Sequence, residues 1–155
     1  MKTILIAGAG KGIGLALAKQ LAGTHRVIAI TRSQSAELEA TGVIVHYADL
    51  TQQNALDAIE LPEVLDGLVY CPGSINLKPF ARMQTGDFLH DFEQNLLGAV
   101  RLIQKSLPNL KRSGSAGVVM FSTVAVKLGM SFHSSIAVSK SGVEGLVKSL
   151  AAEYA

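Results

Sequence analysis

Short apolar runs alternate with amphipathic segments along most of the chain. Five of these runs predict β-strands, over Thr3–Ala7, Arg26–Ile30, Val43–Tyr47, Gly67–Cys71 and Gly117–Ser122. Each run is apolar almost throughout, which is typical of parallel strands that are covered on both faces. Between the runs, apolar residues spaced three or four positions apart predict helices. The predicted helices cover Gly12–Leu21, Ser35–Ala40, Asp87–Leu107 and Phe132–Glu153.

Strands that alternate with helices in this way predict an α/β fold with a Rossmann-type, doubly wound parallel sheet. We expect it to form a single domain over residues 1–155. A helix packed on such a sheet normally leads into another strand, but here the chain stops after the helix that follows the fifth strand. The sequence therefore predicts a truncated sheet, in a fragment or a naturally short protein.

Composition excludes several functional classes. The chain is 48% hydrophobic and 17% charged, with a formal net charge of +2, so it is globular and predicts neither nucleic acid nor membrane as a partner. Cys71 is the only cysteine, so no internal disulfide can form and no metal site is predicted. We expect a cytoplasmic protein.

A glycine-rich turn joins the first strand to the first helix, with the sequence Gly8-Ala9-Gly10-Lys11-Gly12-Ile13-Gly14. Glycines let phosphate oxygens approach bare main-chain amides, and the helix N-terminus attracts the anion. The Gly-x-Gly-x-x-Gly pattern fails because its third position falls on Ile13, and no Gly-Lys-Ser/Thr triplet supports a Walker A loop. The turn predicts phosphate binding, and a ligand-free strand-to-helix connection is the alternative.

The end of the second strand indicates which dinucleotide would bind. It reads Thr31-Arg32-Ser33, without the carboxylate that usually bonds the ribose 2′-hydroxyl of NAD. A cation at this place favours the 2′-phosphate of NADP(H), and Lys11 adds a second one. The alternative is that both are solvated surface cations.

Gly-x-x-x-Gly-x-Gly after an N-terminal strand resembles the short-chain dehydrogenase/reductase family. Further family positions follow in order at Asp49-Leu50, Gly73 (in Cys71-Pro72-Gly73, where the family shows Asn-Ala-Gly), Asn95, Ser122 and Lys140. The resemblance implies NADP(H) binding by a set of positions along the chain. They are Gly8, Gly10, Lys11, Gly12, Ile13, Gly14, Arg32, Asp49, Leu50, Gly73 and Lys140.

The resemblance also implies catalytic roles. In the family a tyrosine donates a proton to the substrate oxygen, a lysine tunes that tyrosine, a serine bonds the substrate and an asparagine supports the lysine. Lys140, Ser122 and Asn95 occupy the last three positions. Ser122 has the alternative of being a plain strand-ending serine. Asn95 falls on the buried stripe of its predicted helix, so structural hydrogen bonding is its alternative.

One family position is not kept. Tyr-x-x-x-Lys is replaced by Ile136-Ala137-Val138-Ser139-Lys140, and an isoleucine cannot donate a proton. His133, three residues earlier on the same predicted helix face, is a candidate acid or base, with a surface or capping role as the alternative. Ser134 and Ser135 are predicted to be helix-start residues.

Two functions therefore stay open. The first is an NADP(H)-dependent oxidoreductase acting on a small carbonyl or alcohol. The second is an NADP(H)-binding protein with impaired catalysis, such as a sensor or a partner subunit. The resemblance also implies a homo-oligomer that packs through the two long helices, where Gly98, Gly142 and Gly145 would allow close approach.

Overall fold

A five-stranded sheet in the order β3-β2-β1-β4-β5 organises the computed structural model, which describes residues 1–154. The strands are β1 (Thr3–Ala7), β2 (Arg26–Thr31), β3 (Ile44–Tyr47), β4 (Gly67–Tyr70) and β5 (Gly117–Met120). Strand β1 pairs in parallel with β2 and β4, and β2 pairs in parallel with β3. The strand order runs outward in both directions from β1, which confirms the predicted doubly wound, Rossmann-type fold.

Six α-helices accompany the strands in the described part of the chain. They are α1 (Gly12–Leu21), α2 (Ala36–Glu39), α3 (Thr85–Phe92), α4 (Gly98–Ser113), α5 (Ala125–Leu128) and α6 (Ser134–Tyr154). The chain divides into two compact units: a first unit of Met1–Cys71 with Val100–Val119, and a second unit of Pro72–Ala99 with the described residues from Met120 onward. The prediction of a single domain stays a prediction.

The core of the first unit lies between β1, β2 and the short helices α1 and α2. Its buried members are Ile6, Ala9, Ala18, Val27, Ala29 and Leu38. Small residues at Ala9 and Ala18 let the first turns of α1 approach the sheet closely. This packing fixes the start of α1 directly beyond the end of β1, where the glycine-rich turn lies.

The prediction that every strand is covered on both faces is wrong at the edges of the sheet. Ile44 and Tyr47 in β3 and Val118 and Val119 in β5 are all exposed by two fifths or more of their surface. An outermost strand has a partner on one side only, so its side chains meet fewer neighbours. The central strands β1, β2 and β4 are buried as predicted.

Two predicted helix boundaries are corrected. The segment predicted as one helix over Asp87–Leu107 is helical from Thr85 to Ser113, with a π-helical turn at Glu93–Leu97 between α3 and α4. Phe132, predicted to begin the last helix, precedes α6, has a φ of 68° and is 55% exposed. A left-handed backbone cannot continue a right-handed helix, so α6 begins only after it, at Ser134.

Candidate functional site

The glycine-rich turn of the first unit is built from bare backbone. Gly8 and Gly12 have φ values of 73° and 57°, which L side chains rarely adopt. A Cβ on Gly14 would overlap the carbonyl oxygen of Gly8, and one on Gly10 would overlap the Thr31 hydroxyl. Glycine is therefore required for the turn to close on itself and on the end of β2.

The N-terminus of α1 presents main-chain amides to solvent. Lys11 occupies the N-cap position in an extended conformation, and no side chain in the described residues caps this helix. A Cβ at Gly12 would meet nothing within 4 Å, and Lys11, Gly12 and Ile13 are exposed. Free first-turn amides at the positive end of a helix dipole suit an anion such as a pyrophosphate.

Arg32 lies beside this turn. Its two chain neighbours, Thr31 and Ser33, pack against Gly10. A Cβ on Gly10 would overlap the Thr31 hydroxyl and would lie 3.8 Å from the Ser33 carbonyl oxygen. Arg32 is exposed, and it is close enough to Asp49 to influence that carboxyl. Lys11 lies in the turn after β1 and Arg32 directly follows β2, so both lie beyond the carboxyl ends of neighbouring parallel strands of the first unit.

Asp49 and Leu50 follow the end of β3. Burial opposes the charged form of Asp49, but hydrogen bonds from the hydroxyl and amide of Thr51 and the charge of Arg32 outweigh it, so its pKa is lowered. Leu50 is 7% exposed, and its carbonyl oxygen accepts a hydrogen bond of 3.2 Å from Arg101. Leu50 thus offers a fixed apolar surface, and Asp49 a fixed negative charge.

In the second unit, Asn95 lies in the π-helical turn at Glu93–Leu97 and is fully buried. Its Nδ2 donates to the Asp91 carbonyl oxygen (2.8 Å) and to Ser74 Oγ (3.1 Å), while its Oδ1 accepts from the Ser74 amide (3.4 Å). Single π-helical turns within α-helices occur frequently at functional sites. Here the turn accompanies a side chain with three defined contacts.

Lys140 and Asn95 approach the same face of Gly73. A Cβ on Gly73 would lie 3.2 Å from Asn95 Oδ1 and 3.8 Å from Lys140 Nζ. Lys140 is 9% exposed and donates to the Phe121 carbonyl oxygen at 2.8 Å. Burial lowers the pKa of Lys140, because the ammonium group loses solvation. Gly73, Asn95 and Lys140 are therefore brought together, with Gly73 itself exposed.

Ser122 and His133 are placed elsewhere in the second unit. Ser122 lies beyond β5, which ends at Met120, and its exposed hydroxyl donates to Glu144 Oε1 at 2.6 Å. His133 precedes α6, and its Nδ1 lies 2.7 Å from the Ser131 carbonyl oxygen. Among the described residues, no hydrogen bond joins either side chain with Asn95 or Lys140.

Sequence reasoning missed one buried carboxyl group. Asp91 is fully buried in α3 and accepts hydrogen bonds from Ser74 Oγ (2.6 Å) and Ser135 Oγ (2.5 Å). Ser135, at the start of α6 as predicted, points inward and is 1% exposed. A signal was present, since Asp91 lies four residues before Asn95 on the same predicted helix stripe.

Ile136, at the position of the family tyrosine, is 4% exposed. Its neighbours in sequence and space are the buried polar residues Ser135, Ser139 and Lys140. The second unit therefore keeps a polar interior around an apolar side chain at the place where the family has its proton donor.

The sequence model of the family described as short chain dehydrogenase matches residues 2–155. Retinol dehydrogenase 8 of Bos taurus is 33% identical over 98% of this chain and 54% of its own length. The 3-oxoacyl-[acyl-carrier-protein] reductase MabA of Mycobacterium tuberculosis (strain ATCC 25618 / H37Rv) is 27% identical over 98% of this chain and 63% of its own.

The chain belongs to the short chain dehydrogenase family. This family of oxidoreductases binds a nicotinamide cofactor, NAD or NADP. A solved structure of a short-chain type dehydrogenase/reductase from Mycobacterium ulcerans shares the fold with a TM-score of 0.84 at 23% identity, over 98% of this chain and 62% of that one. The chain thus spans between 54% and 63% of the length of these relatives.

The glycine-rich turn fits the dinucleotide that the family binds, since Gly10 and Gly14 let the turn close on the protein's own backbone and the uncapped start of α1 stays open at Gly12. Within residues 1–154, no helix is both long and apolar enough to cross a membrane. The same residues contain no group of three or more His, Cys, Asp or Glu side chains placed to hold a metal ion.

Proposed function

We propose that this short chain dehydrogenase binds NADP(H) and interconverts a small carbonyl compound and its alcohol. Gly8, Gly10, Gly12, Ile13 and Gly14 would hold the pyrophosphate through their backbone, and Lys11 and Arg32 would pair with the 2′-phosphate. Asp49 and Leu50 would border the adenine. In the second unit, Gly73, Asn95 and Lys140 would serve the nicotinamide end, where the cofactor supplies hydride chemistry.

The observation that carries the choice of NADP(H) is the position of Arg32. The residues on either side of it pack against the glycine turn, and the guanidinium group is exposed. A guanidinium can bond a phosphate in a bidentate manner, whereas an acidic residue at this place would repel it. Lys11, the N-cap residue of α1, adds a second cation within the turn.

The names of relatives indicate where a substrate search begins. One relative is a retinol dehydrogenase and another a 3-oxoacyl-[acyl-carrier-protein] reductase. Suitable probes are therefore retinal, 3-oxoacyl thioesters and simple aldehydes. Oxidation of NADPH, followed by its absorbance, reports turnover with each of them.

The choice of cofactor is tested by titrating the protein with NADPH and NADH. We expect Arg32→Ala to weaken NADPH binding by about tenfold or more, as for the loss of a charge-assisted hydrogen bond, and to leave NADH binding unchanged. Arg26→Ala is the matched control, since Arg26 is an exposed arginine at the opposite end of β2. Tighter binding of NADH than NADPH by the wild type would contradict the proposal.

A specific observation favours the second function, an NADP(H)-binding protein with impaired catalysis. Ile136 is buried where the family has its proton-donating tyrosine, and loss of a general acid typically lowers a rate by about 10²–10⁴. Binding of NADPH without oxidation by any of the carbonyl probes would support this sensor or partner-subunit role. His133 is a candidate replacement, and His133→Gln tests it in the same turnover assay.

Assembly is a further part of the proposal. Gly142 packs inside the second unit, where a Cβ would lie 2.7 Å from Leu96 Cδ2, so it serves intrachain packing. Gly145 faces open space, and Val138, two turns earlier on the same face of the helix, is 53% exposed. An apolar surface of this kind supports a homo-oligomer formed through α6. Light scattering during size-exclusion chromatography measures the oligomeric state.

A further inference from the structure

Asp91 is a carboxyl group in an unusual place. It is fully buried in α3, and within residues 1–154 neither ion pair of the structure includes it. A buried carboxyl without a cation costs folding free energy unless hydrogen bonds satisfy it. Asp91 lies in the same unit as Asn95 and Lys140, so the groups that satisfy it bear directly on the candidate site.

Two hydroxyl groups satisfy this carboxyl. Ser74 Oγ donates to Asp91 Oδ1 at 2.6 Å, and Ser135 Oγ donates to Asp91 Oδ2 at 2.5 Å. Distances of this size are typical of charge-assisted bonds between a hydroxyl and a carboxylate. Each oxygen of the carboxyl group is thus linked to one serine.

The two serines differ in their access to the surface. Ser135 is 1% exposed, whereas Ser74 is half-buried and directly follows the exposed Gly73. Gly73 is the residue against which Asn95 Oδ1 and Lys140 Nζ converge. Ser74 also accepts a hydrogen bond from Asn95 Nδ2 at 3.1 Å, which fixes its hydroxyl toward Asp91. Ser74 is therefore the surface end of the network, and Ser135 its interior end.

We infer that Ser74 and Asp91 form a proton relay that takes the place of the absent tyrosine, an inference that rests on the proposed oxidoreductase function. When an alcohol is oxidised, its carbon loses a hydride to NADP⁺ and its hydroxyl proton passes to Ser74 Oγ. Ser74 releases its own proton to Asp91 Oδ1 as the O–H electron pair of the alcohol becomes the carbonyl π bond. Carbonyl reduction runs the same path backwards, from the carboxylic acid through Ser74 to the substrate oxygen. Water exchanges the stored proton through Ser74 once the product has left.

The relay is tested first by kinetics of the protein with the best carbonyl probe. Asp91→Asn keeps the shape of the side chain but cannot pass a proton, and Ser74→Ala removes the surface hydroxyl. We expect each change to lower kcat by about a hundredfold to ten-thousandfold, with KM and the Kd for NADPH changed by no more than about twofold. Thermal unfolding of each variant shows whether it is folded.

Ser135→Ala is the matched control, because it removes an equally short hydrogen bond to the same carboxyl without touching the path to the surface. We expect its kcat to stay within about tenfold of the wild type. The inference is overturned if Asp91→Asn keeps wild-type kcat, or if Ser135→Ala and Ser74→Ala lose activity equally. It is also overturned if His133→Gln removes turnover and Asp91→Asn does not.

Infrared spectroscopy separates failure of the relay from failure of the proposed function. The protein without substrate is titrated with acid, and the carbonyl stretch of a protonated carboxylic acid is compared between wild type and Asp91→Asn. A band present in the wild type, shifted in deuterium oxide and missing in the variant, shows that Asp91 exchanges a proton with solvent, even if no carbonyl probe is reduced. Its absence from the wild type refutes the relay, whatever the outcome of the NADPH titration.

Discussion

A single methyl group on Gly14 provides a sharp test of the phosphate-binding turn. Gly14 is buried in the first turn of α1, and its Cβ would overlap the Gly8 carbonyl oxygen and lie 3.0 Å from Ala9 Cα. These are backbone atoms, which cannot move aside by changing a rotamer. The turn itself would have to open, and the amides at the start of α1 would move with it.

The expected loss of stability follows from two opposing effects. Alanine is favoured over glycine in a helix by about 1 kcal/mol, while overpacking costs typically about 1–3 kcal/mol. Because the clash is with backbone, we expect the upper part of that range and a net loss of about 1–2 kcal/mol for Gly14→Ala. For a chain of this length each kcal/mol lowers Tm by about 2–4 °C, so the shift is about 2–8 °C.

The control is Gly23→Ala, where a new Cβ meets nothing within 4 Å and the backbone conformation suits alanine. This variant should keep or slightly raise Tm. Thermal unfolding and NADPH titration of both variants complete the test, and Gly14→Ala should also weaken NADPH binding by about tenfold or more. Equal Tm and equal NADPH affinity in the two variants would refute the role given to the turn.

Two further predictions concern titratable groups. The Gln84 amide and the Lys78 ammonium hold the pKa of Asp87 at about 2, below the unfolded value of about 3.9, so its stabilising contribution is complete above about pH 4 and is lost as pH falls toward 2. Asp87→Asn should therefore make the unfolding free energy, measured by urea denaturation, fall less steeply between about pH 4 and pH 2. Asp57→Asn, at an exposed position, should leave that fall unchanged. Identical pH dependence of the unfolding free energy in the two variants would contradict this prediction. Burial raises the pKa of Cys71 to about 11, so we expect iodoacetamide to alkylate it far more slowly in the folded protein than in urea, and equal rates would count against its burial.

The parts of the fold that sequence predicted well are those with strong local signals. Strand β1 and helix α1 have the predicted bounds, because an apolar run, a glycine cluster and a four-residue apolar spacing follow one another without ambiguity. The last residue of β5 and the first residue of α6 were predicted less well. The apolar run at β5 continues beyond its last strand residue, Met120, and the left-handed conformation of Phe132 has no sequence signature in a non-glycine residue.

Site residues could be predicted where the spacing around a single residue indicates its role. They could not be predicted where the role depends on a contact between two residues that are distant in sequence. Gly14 and Asn95 could be picked out from spacing alone, and the structure places both in defined surroundings. The Asp91–Ser135 contact joins residues 44 positions apart, and a carboxyl in an amphipathic helix is usually solvated. Only the packing of α6 against α3 shows that this one is enclosed.

The polar interior of the second unit also bears on whether the protein is still an enzyme. A buried ion or hydrogen-bonded network can often be replaced by apolar residues of similar volume with no loss of stability, so stability alone does not explain one. Ile136 shows that an apolar side chain is accommodated among these residues, yet Asp91, Asn95 and Lys140 beside it are polar and buried. If this unit had no part in proton transfer, an apolar interior would suffice. A buried carboxyl joined through Ser74 to the neighbourhood of Gly73 suits proton transfer, and this favours turnover over binding alone.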